Sequence, residues 1–150
     1  MIEMTDTIVK MVQQFETIYL EHMQDLPVIN KALQVEAVGF RDYHGDQLGV
    51  LITPWFMNLI LLPEVDNWSN SPQGDTSSID FPSGRIEFAV SHDKVLGTYL
   101  SAVAFRGVVE LADQATARKL ALEVLSDLMK PPRNERTISR RDLLTGLRAS

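Results

Sequence analysis

Few of the residues that carry out chemistry stand at spacings that let them act together. Histidines occur at positions 22, 44 and 92, so no two have the spacing of metal ligands on one helix. The chain has no cysteine, which excludes thiolate metal sites and a cysteine nucleophile. Asp80 and Glu87 are candidate paired carboxylates, but acidic residues near strand ends are more often only solvated. We therefore expect no enzyme activity, no metal and no cofactor.

Aromatic residues are the more informative feature. Trp55, Phe56 and Met57 follow a Thr-Pro pair and open an apolar run, so most of their side chains are expected in the core. Trp68 stands alone in a polar segment. It either folds back to close the edge of the core or serves as an exposed anchor, because tryptophan is enriched among binding hot spots.

A second motif lies near the end of the chain. Residues 139–144 read Ser-Arg-Arg-Asp-Leu-Leu, a pattern close to the twin-arginine export signal. Its position at the end of the sequence indicates that it is not the protein's own export signal. It is either part of a solvated basic tail or a mimic of a client's signal, formed by Arg140, Arg141, Leu143 and Leu144.

The apolar pattern of the first half predicts a helix followed by strands. Apolar residues recur with helical period over 5–24, and Pro27 follows that stripe. The segment 35–52 predicts two strands joined by a polar turn around Gly45. The nearly continuous apolar run 55–62 predicts a central strand covered on both faces.

The second half begins with a polar segment, 64–83, which we interpret as a long surface loop and the first place to seek a binding element. Strands are predicted at 85–90 and 97–106, separated by a turn at 91–94. Asp113 is expected to cap a helix that ends before Pro131.

These elements predict a single α+β domain over residues 1–132, followed by a mobile basic tail at 133–150. The domain is a largely antiparallel sheet of about five strands, with an N-terminal and a C-terminal helix packed on one face. The order of the strands is not readable from the sequence.

Charge and hydropathy narrow the class of partner. The chain has 14 basic and 20 acidic residues and a net charge of -6, which disfavours general binding of nucleic acid. No apolar stretch of about 18 residues and no signal-peptide pattern is present, so we expect a cytoplasmic protein without membrane insertion.

Residues 49–58 form the run Gly-Val-Leu-Ile-Thr-Pro-Trp-Phe-Met-Asn, which continues to Leu62 and Pro63. By this run, the specific part of the match, the sequence resembles the HybE/HupJ family of nickel–iron hydrogenase assembly chaperones. Further matching positions are Phe81, Pro82, Ser83 and Gly84, Tyr99, Leu100 and Ser101, and Arg140, Arg141, Leu143, Leu144 and Gly146.

The resemblance implies a chaperone in the maturation of membrane-bound nickel–iron hydrogenase. Its partners would be the small-subunit precursor, whose twin-arginine signal must not be used before assembly is complete, and the large-subunit precursor. Some relatives carry a rubredoxin-like iron domain, and the absence of cysteine implies that no iron is held here. The alternative is a general protein-interaction adaptor in a redox or export pathway, without recognition of signal peptides.

A receptor for a twin-arginine signal needs carboxylates beside an apolar groove. On sequence alone, the candidate partner-binding residues are Trp55, Phe56, Met57, Glu64, Asp66, Trp68, Asp75 and Asp80.

Overall fold

The computed structural model describes residues 2–64 and 68–132, apart from the side chains of the first few residues. Among these residues, two α-helices flank a sheet of six antiparallel strands. The elements are α1 (Ile2–Ile18), a π-helical turn (Tyr19–Met23), β1 (Glu36–Tyr43), β2 (Asp46–Ile52), β3 (Met57–Leu62), β4 (Thr76–Phe81), β5 (Gly84–Asp93), β6 (Gly97–Phe105), a 3₁₀ turn (Val108–Glu110) and α2 (Gln114–Leu128).

The strands are arranged in the order β1-β2-β3-β6-β5-β4, and every neighbouring pair is antiparallel. The central position of β3 confirms the interpretation of the apolar run that follows Pro54. Leu59 and Leu61 face one layer of the core, whereas Ile60 and Leu62 face the other. Because both faces of β3 are covered, its sequence has no polar alternation.

The two helices lie on opposite faces of the sheet. Met11 and Phe15 of α1 pack against Leu51 and Ile60, and the buried residues of α2 pack in a separate cluster with the other face. The expectation that both helices share one face is therefore wrong. A sheet whose central strands are apolar on both faces needs a cover on each side, which produces three layers.

The number of strands differs from the predicted five because β4 lies inside the segment interpreted as a loop. In β4 only Ile79 and Phe81 are apolar, and Thr76 and Ser78 are exposed. An edge strand with one solvated face needs few apolar residues, so its period-2 signal is weak. The second hairpin is confirmed, but β5 continues to Asp93 and the reversal lies at 94–96.

A bulge in β1 lies against α2, where a Cβ built on Gly39 would meet the Leu125 side chain at 2.6 Å. The register shifts between Val38 and Arg41, and Gly39 adopts φ +68°, a conformation that favours glycine. A Cβ built on Gly49 would meet the ring of Phe40 at 2.3 Å. The Phe40 ring therefore lies directly over Gly49, in space that a larger side chain at position 49 would fill.

The sheet curves enough for its two edge strands to meet at one corner. The rings of Tyr43, at the end of β1, and Phe81, at the end of β4, stack with centroids 4.9 Å apart. The Tyr43 hydroxyl also donates a hydrogen bond to the Asp80 carbonyl. The concave face between these edges holds the larger core cluster, against which α2 packs.

Candidate partner-binding surface

The Thr-Pro-Trp-Phe segment forms a turn that is held by one buried hydroxyl. Thr53 is fully buried, and its Oγ1 accepts hydrogen bonds from the backbone amides of Trp55 (3.1 Å) and Phe56 (2.9 Å). The Thr53 amide donates to the Phe56 carbonyl at 2.8 Å. These bonds fix the backbone between β2 and β3, so that both aromatic side chains project toward α1.

The two aromatic residues build a cluster with α1. Phe56 meets Phe15 edge-on at 5.6 Å, and Trp55 meets Phe56 edge-on at 5.4 Å between ring centroids. Tyr19 stacks on Trp55 with the rings 8° from parallel and 6.1 Å apart. Trp55 and Phe56 remain partly exposed, whereas Met57 is fully buried in the cluster on the opposite face. Met57 is thus a core residue with no accessible side chain.

The π-helical turn changes which side chains α1 presents beyond this cluster. Tyr19, its first residue, stacks on Trp55, and Leu20 is 61% exposed. Leu26 and Val28, in the segment that follows, are 42% and 58% exposed. Single π-turns within helices often occur at functional sites, and Leu20 is the exposed apolar residue of this segment that lines a cleft.

Beside the cluster lies an open cleft of about 250 Å³, here called the α1 groove. Its apolar lining includes Tyr19, Leu20, Leu33 and Val35, and the Glu16 carboxylate lies at the exposed rim. The complete lining is Glu16, Tyr19, Leu20, Leu33, Gln34, Val35 and Pro54. The groove thus combines apolar surface, aromatic rings and a negative charge.

Asn30 makes one wall of the α1 groove rigid. Its side-chain amide donates to the carbonyls of Val108 (2.9 Å) and Leu111 (2.8 Å), and its backbone amide donates to the Pro54 carbonyl (2.8 Å). Its Oδ1 accepts from the Ala32 amide at 2.9 Å. One buried residue therefore joins the segment after α1 to the Thr-Pro turn through its backbone and to the connection before α2 through its side chain.

Of the acidic residues predicted as a group, Glu64 and Asp80 both lie next to the end of β1, and Asp75 lies at the opposite end of β4. Glu64 is exposed beside the β1–β2 turn, where its amide donates to Asp46, and Asp75 is exposed just before β4. Asp80 forms an exposed ion pair with Arg85, with 2.9 Å between Oδ1 and Nε. Asp66 lies outside the described residues, as do the tail residues Arg140, Arg141, Leu143 and Leu144.

Trp68 and Trp55 lie on opposite faces of the sheet. Trp68 is partly buried against the cluster that α2 covers, and its indole N–H donates to Ser77 Oγ at 3.1 Å. It therefore folds back onto the edge of the core, one of the two outcomes expected from the sequence. The indole N–H can donate a hydrogen bond while the rest of the ring packs on the core, so a tryptophan fits beside a polar edge strand.

The histidines in the turns serve local structure. His92 Nε2 contacts the Ser71 carbonyl at 2.6 Å, and its Nδ1 contacts Thr98 Oγ1 at 3.0 Å, which ties the second hairpin to the segment before β4. His44 meets the Tyr43 ring edge-on. Within residues 2–64 and 68–132, no group of three or more His, Asp or Glu side chains is placed to hold a metal ion. No helix among these residues is long and apolar enough to cross a membrane.

Sequence reasoning missed most of the residues that line the α1 groove. Tyr19 belongs to the helical apolar stripe, which predicts its burial, whereas Leu20 lies outside that stripe and carries no such signal. Glu16 was missed because a single exposed acid on a helix carries no pattern of its own.

Comparison with known proteins decides the family. The sequence model described as NiFe-hydrogenase assembly, chaperone, HybE matches residues 6–146. The chain belongs to the HybE family. The resemblance seen in the sequence is thereby confirmed, and its most specific run is the segment that forms the Thr53 turn and the aromatic pair of this HybE-family protein.

Two relatives show how far the match with the HybE-family chain extends. The hydrogenase expression/formation protein HupJ of Bradyrhizobium diazoefficiens is 40% identical over 123 residues, which are 82% of this chain and 72% of that protein. The probable rubredoxin HupJ of Rhodobacter capsulatus is 40% identical over 121 residues, which are 80% of this chain and 44% of that protein. The match covers less than half of the second relative.

A solved structure supports the HybE-family fold independently. The solution structure of HybE from Escherichia coli matches with a TM-score of 0.68, covering 96% of this chain and 91% of that chain at 22% sequence identity. At this identity the likeness concerns the fold alone. It confirms the α+β class.

Proposed function

We propose that this HybE-family chain acts in the cytoplasm as an assembly chaperone for membrane-bound nickel–iron hydrogenase, carrying out no chemistry of its own. Its client is the small-subunit precursor, whose twin-arginine signal segment binds in the α1 groove. Binding there delays export until assembly is complete, and the large-subunit precursor is a second client. The observation that carries this proposal is an exposed apolar groove, lined by Tyr19 and Leu20, with the Glu16 carboxylate at its rim.

The chemistry of such a signal fits this groove better than it fits the acidic segment after β3. A twin-arginine signal joins two guanidinium groups to an apolar stretch, so its receptor must offer a carboxylate and apolar surface within a few residues' reach. Glu16 and Leu20 are one helical turn apart and both line the groove. Glu64 lies at the far end of the β2–β3 hairpin, roughly 20 Å away for strands of this length.

Charge supports the encounter as well as the fit. The net charge of -6 attracts a cationic segment, and Glu21 and Asp25 are exposed just beyond Glu16 in the sequence. Such long-range attraction mainly raises the association rate and is weakened by salt. The bidentate geometry of arginine with a carboxylate provides the discrimination from lysine.

Calorimetric titration of the full chain with the signal peptide of a hydrogenase small subunit tests the proposal. A matched peptide with both arginines changed to lysine is the first control. We expect the arginine peptide to bind more tightly, and Glu16→Gln to weaken it about 5- to 10-fold through loss of a charge-assisted hydrogen bond. Leu20→Asn should weaken both peptides, because it removes exposed apolar contact surface.

Two control variants test whether the loss of peptide affinity is specific to the α1 groove. Glu64→Gln removes another exposed carboxylate and Val95→Asn another exposed apolar side chain, both away from the groove lining, so neither should change the affinity. A loss of affinity in Glu64→Gln as large as in Glu16→Gln would move the site to the segment after β3. Absence of binding for either peptide would reject signal recognition and favour an adaptor that binds folded subunits.

A further inference from the structure

The basic motif near the end of the chain is the strongest feature that the proposed function leaves unused. Residues 139–144 combine two arginines with two leucines, and the HybE-family match extends to residue 146, so the motif lies within the family's pattern. We propose that this segment of the chain itself occupies the α1 groove when no client is bound. The inference rests on the proposed function, because it assigns the same groove to both ligands.

Charge complementarity favours an internal ligand. Residues 133–150 contain five arginines and two acidic residues, whereas residues 1–132 contain nine basic and eighteen acidic residues. The tail is therefore oppositely charged to the domain that precedes it. Arg140 and Arg141 offer guanidinium groups to the Glu16 rim, and Leu143 and Leu144 offer apolar side chains to the lining around Leu20 and Leu33.

The length of the chain allows the contact. Helix α2 begins beside the groove, since the Gln114 side chain accepts from the Gln34 amide at 2.8 Å, and it ends where the Ser83 amide donates to the Leu128 carbonyl. Fifteen helical residues span about 22 Å. The eight residues from Pro132 to Arg140 reach up to about 27 Å when extended, enough to return along α2 to the groove.

A second cleft lies nearer to the end of α2 but suits the motif less well. It has a volume of about 420 Å³ and is lined mainly by apolar residues that include Ile86, Val103 and Leu128. Its one lining carboxylate, Asp127, lies 3.7 Å from the Lys130 ammonium group. Two arginines therefore gain less there than at Glu16.

Occupation of the α1 groove by the tail would lower the apparent affinity of the protein for its clients. A tail that fills the groove nine-tenths of the time weakens the apparent affinity of a client about tenfold, because only the open fraction binds. A true twin-arginine signal displaces it through a better fit, whereas weakly matching peptides are rejected. Competition from the tail thus excludes weakly binding peptides and increases the selectivity of the groove for twin-arginine signals.

The two tryptophans provide a test that needs no client. Because the chain has no cysteine, Thr145→Cys in the full chain takes one nitroxide label beside the motif. Nuclear magnetic resonance then compares the indole N–H signals of Trp55, beside the groove, and Trp68, on the other face. We expect strong paramagnetic broadening of Trp55 and little of Trp68, with the Trp55 effect lost in Arg140→Gln/Arg141→Gln.

The control variant is Arg133→Gln/Arg136→Gln, which removes the same charge outside the motif and should leave the Trp55 broadening in place. Equal broadening of both tryptophans, broadening of Trp68 alone, or no broadening overturns the proposal. Peptide titration separates this result from the proposed function. If the groove binds signal peptide while the label leaves Trp55 unaffected, client recognition stands and the internal ligand is rejected.

Discussion

Thr53 connects the fold to the candidate surface through a single hydroxyl. That oxygen belongs to the fully buried Thr53 and accepts two backbone amides, so replacing it by an apolar group leaves both amides without this partner. We predict that Thr53→Val lowers the free energy of unfolding by about 2 to 4 kcal/mol, measured by urea denaturation. Thr53→Ser keeps the hydroxyl, so it should lose less than half as much unfolding free energy as Thr53→Val.

The matched control is Thr76→Val, on the exposed face of β4, for which a change within about 0.5 kcal/mol is expected. Stability of Thr53→Val equal to that of the unmodified chain would show that the hydroxyl does not organise the turn.

At the residue scale, the sequence predicts chemical type better than position. Burial of Met57 follows directly from its place in an apolar run. Trp55 and Phe56 belong to the same run, yet they remain partly exposed, because the Thr53 turn directs them toward α1 before the strand begins. The alternative between core and anchor for Trp68 was decided by Ser77, a partner nine residues away that no local pattern identifies.

At the element scale, Glu36 joins the start of β1 to the start of α2. Burial alone raises the pKa of this carboxyl, but hydrogen bonds from Arg118 and Gln114 and the charge of Arg118 outweigh it and lower the pKa. The Arg118 guanidinium binds it through two nitrogens, at 2.9 and 3.1 Å. The folded state therefore favours the ionised carboxylate more than the unfolded state does.

This linkage predicts a pH dependence of stability. The contribution of Glu36 is fully present above the ordinary glutamate pKa of about 4.3 and is lost as the pH falls through its lower value in the folded protein. Glu36→Gln should be less stable than the unmodified chain by under about 1 kcal/mol at pH 7, since the pair is partly exposed. Urea denaturation from pH 7 to pH 3 should show that difference shrinking, and a constant difference would contradict the assignment.

The elements themselves were predictable to different degrees. Strong periods of 3.6 and long apolar runs predict α1, α2 and β3, because burial imposes these patterns directly. The edge strand β4 was missed because its hydrogen bonds to β5 stabilise a sequence that carries little apolar signal. The distribution of the helices over two faces depends on contacts between distant segments, which a single sequence does not display.

At the scale of the whole molecule, the three layers bury the central strands and leave the groove at the C-terminal end of α1 exposed. The central strands are buried between the helices, so the core supplies a rigid base for the exposed groove. Family membership assigns the chain to hydrogenase assembly, and we propose the α1 groove as the site at which the client binds. Glu64 and Asp80 lie near the end of β1 and do not line the α1 groove, so the proposed site is the groove itself.

Hydrogen–deuterium exchange tests whether the client binds in the α1 groove. It is measured on the full chain, alone and with a hydrogenase small-subunit precursor that carries its signal. The Arg140→Gln/Arg141→Gln chain is measured in parallel, so that protection by the tail is distinguished from protection by the client. We expect the precursor to slow exchange at the π-helical turn and at residues 33–35, more strongly in that variant. Protection confined to residues 73–81, with no change around the α1 groove, would contradict it.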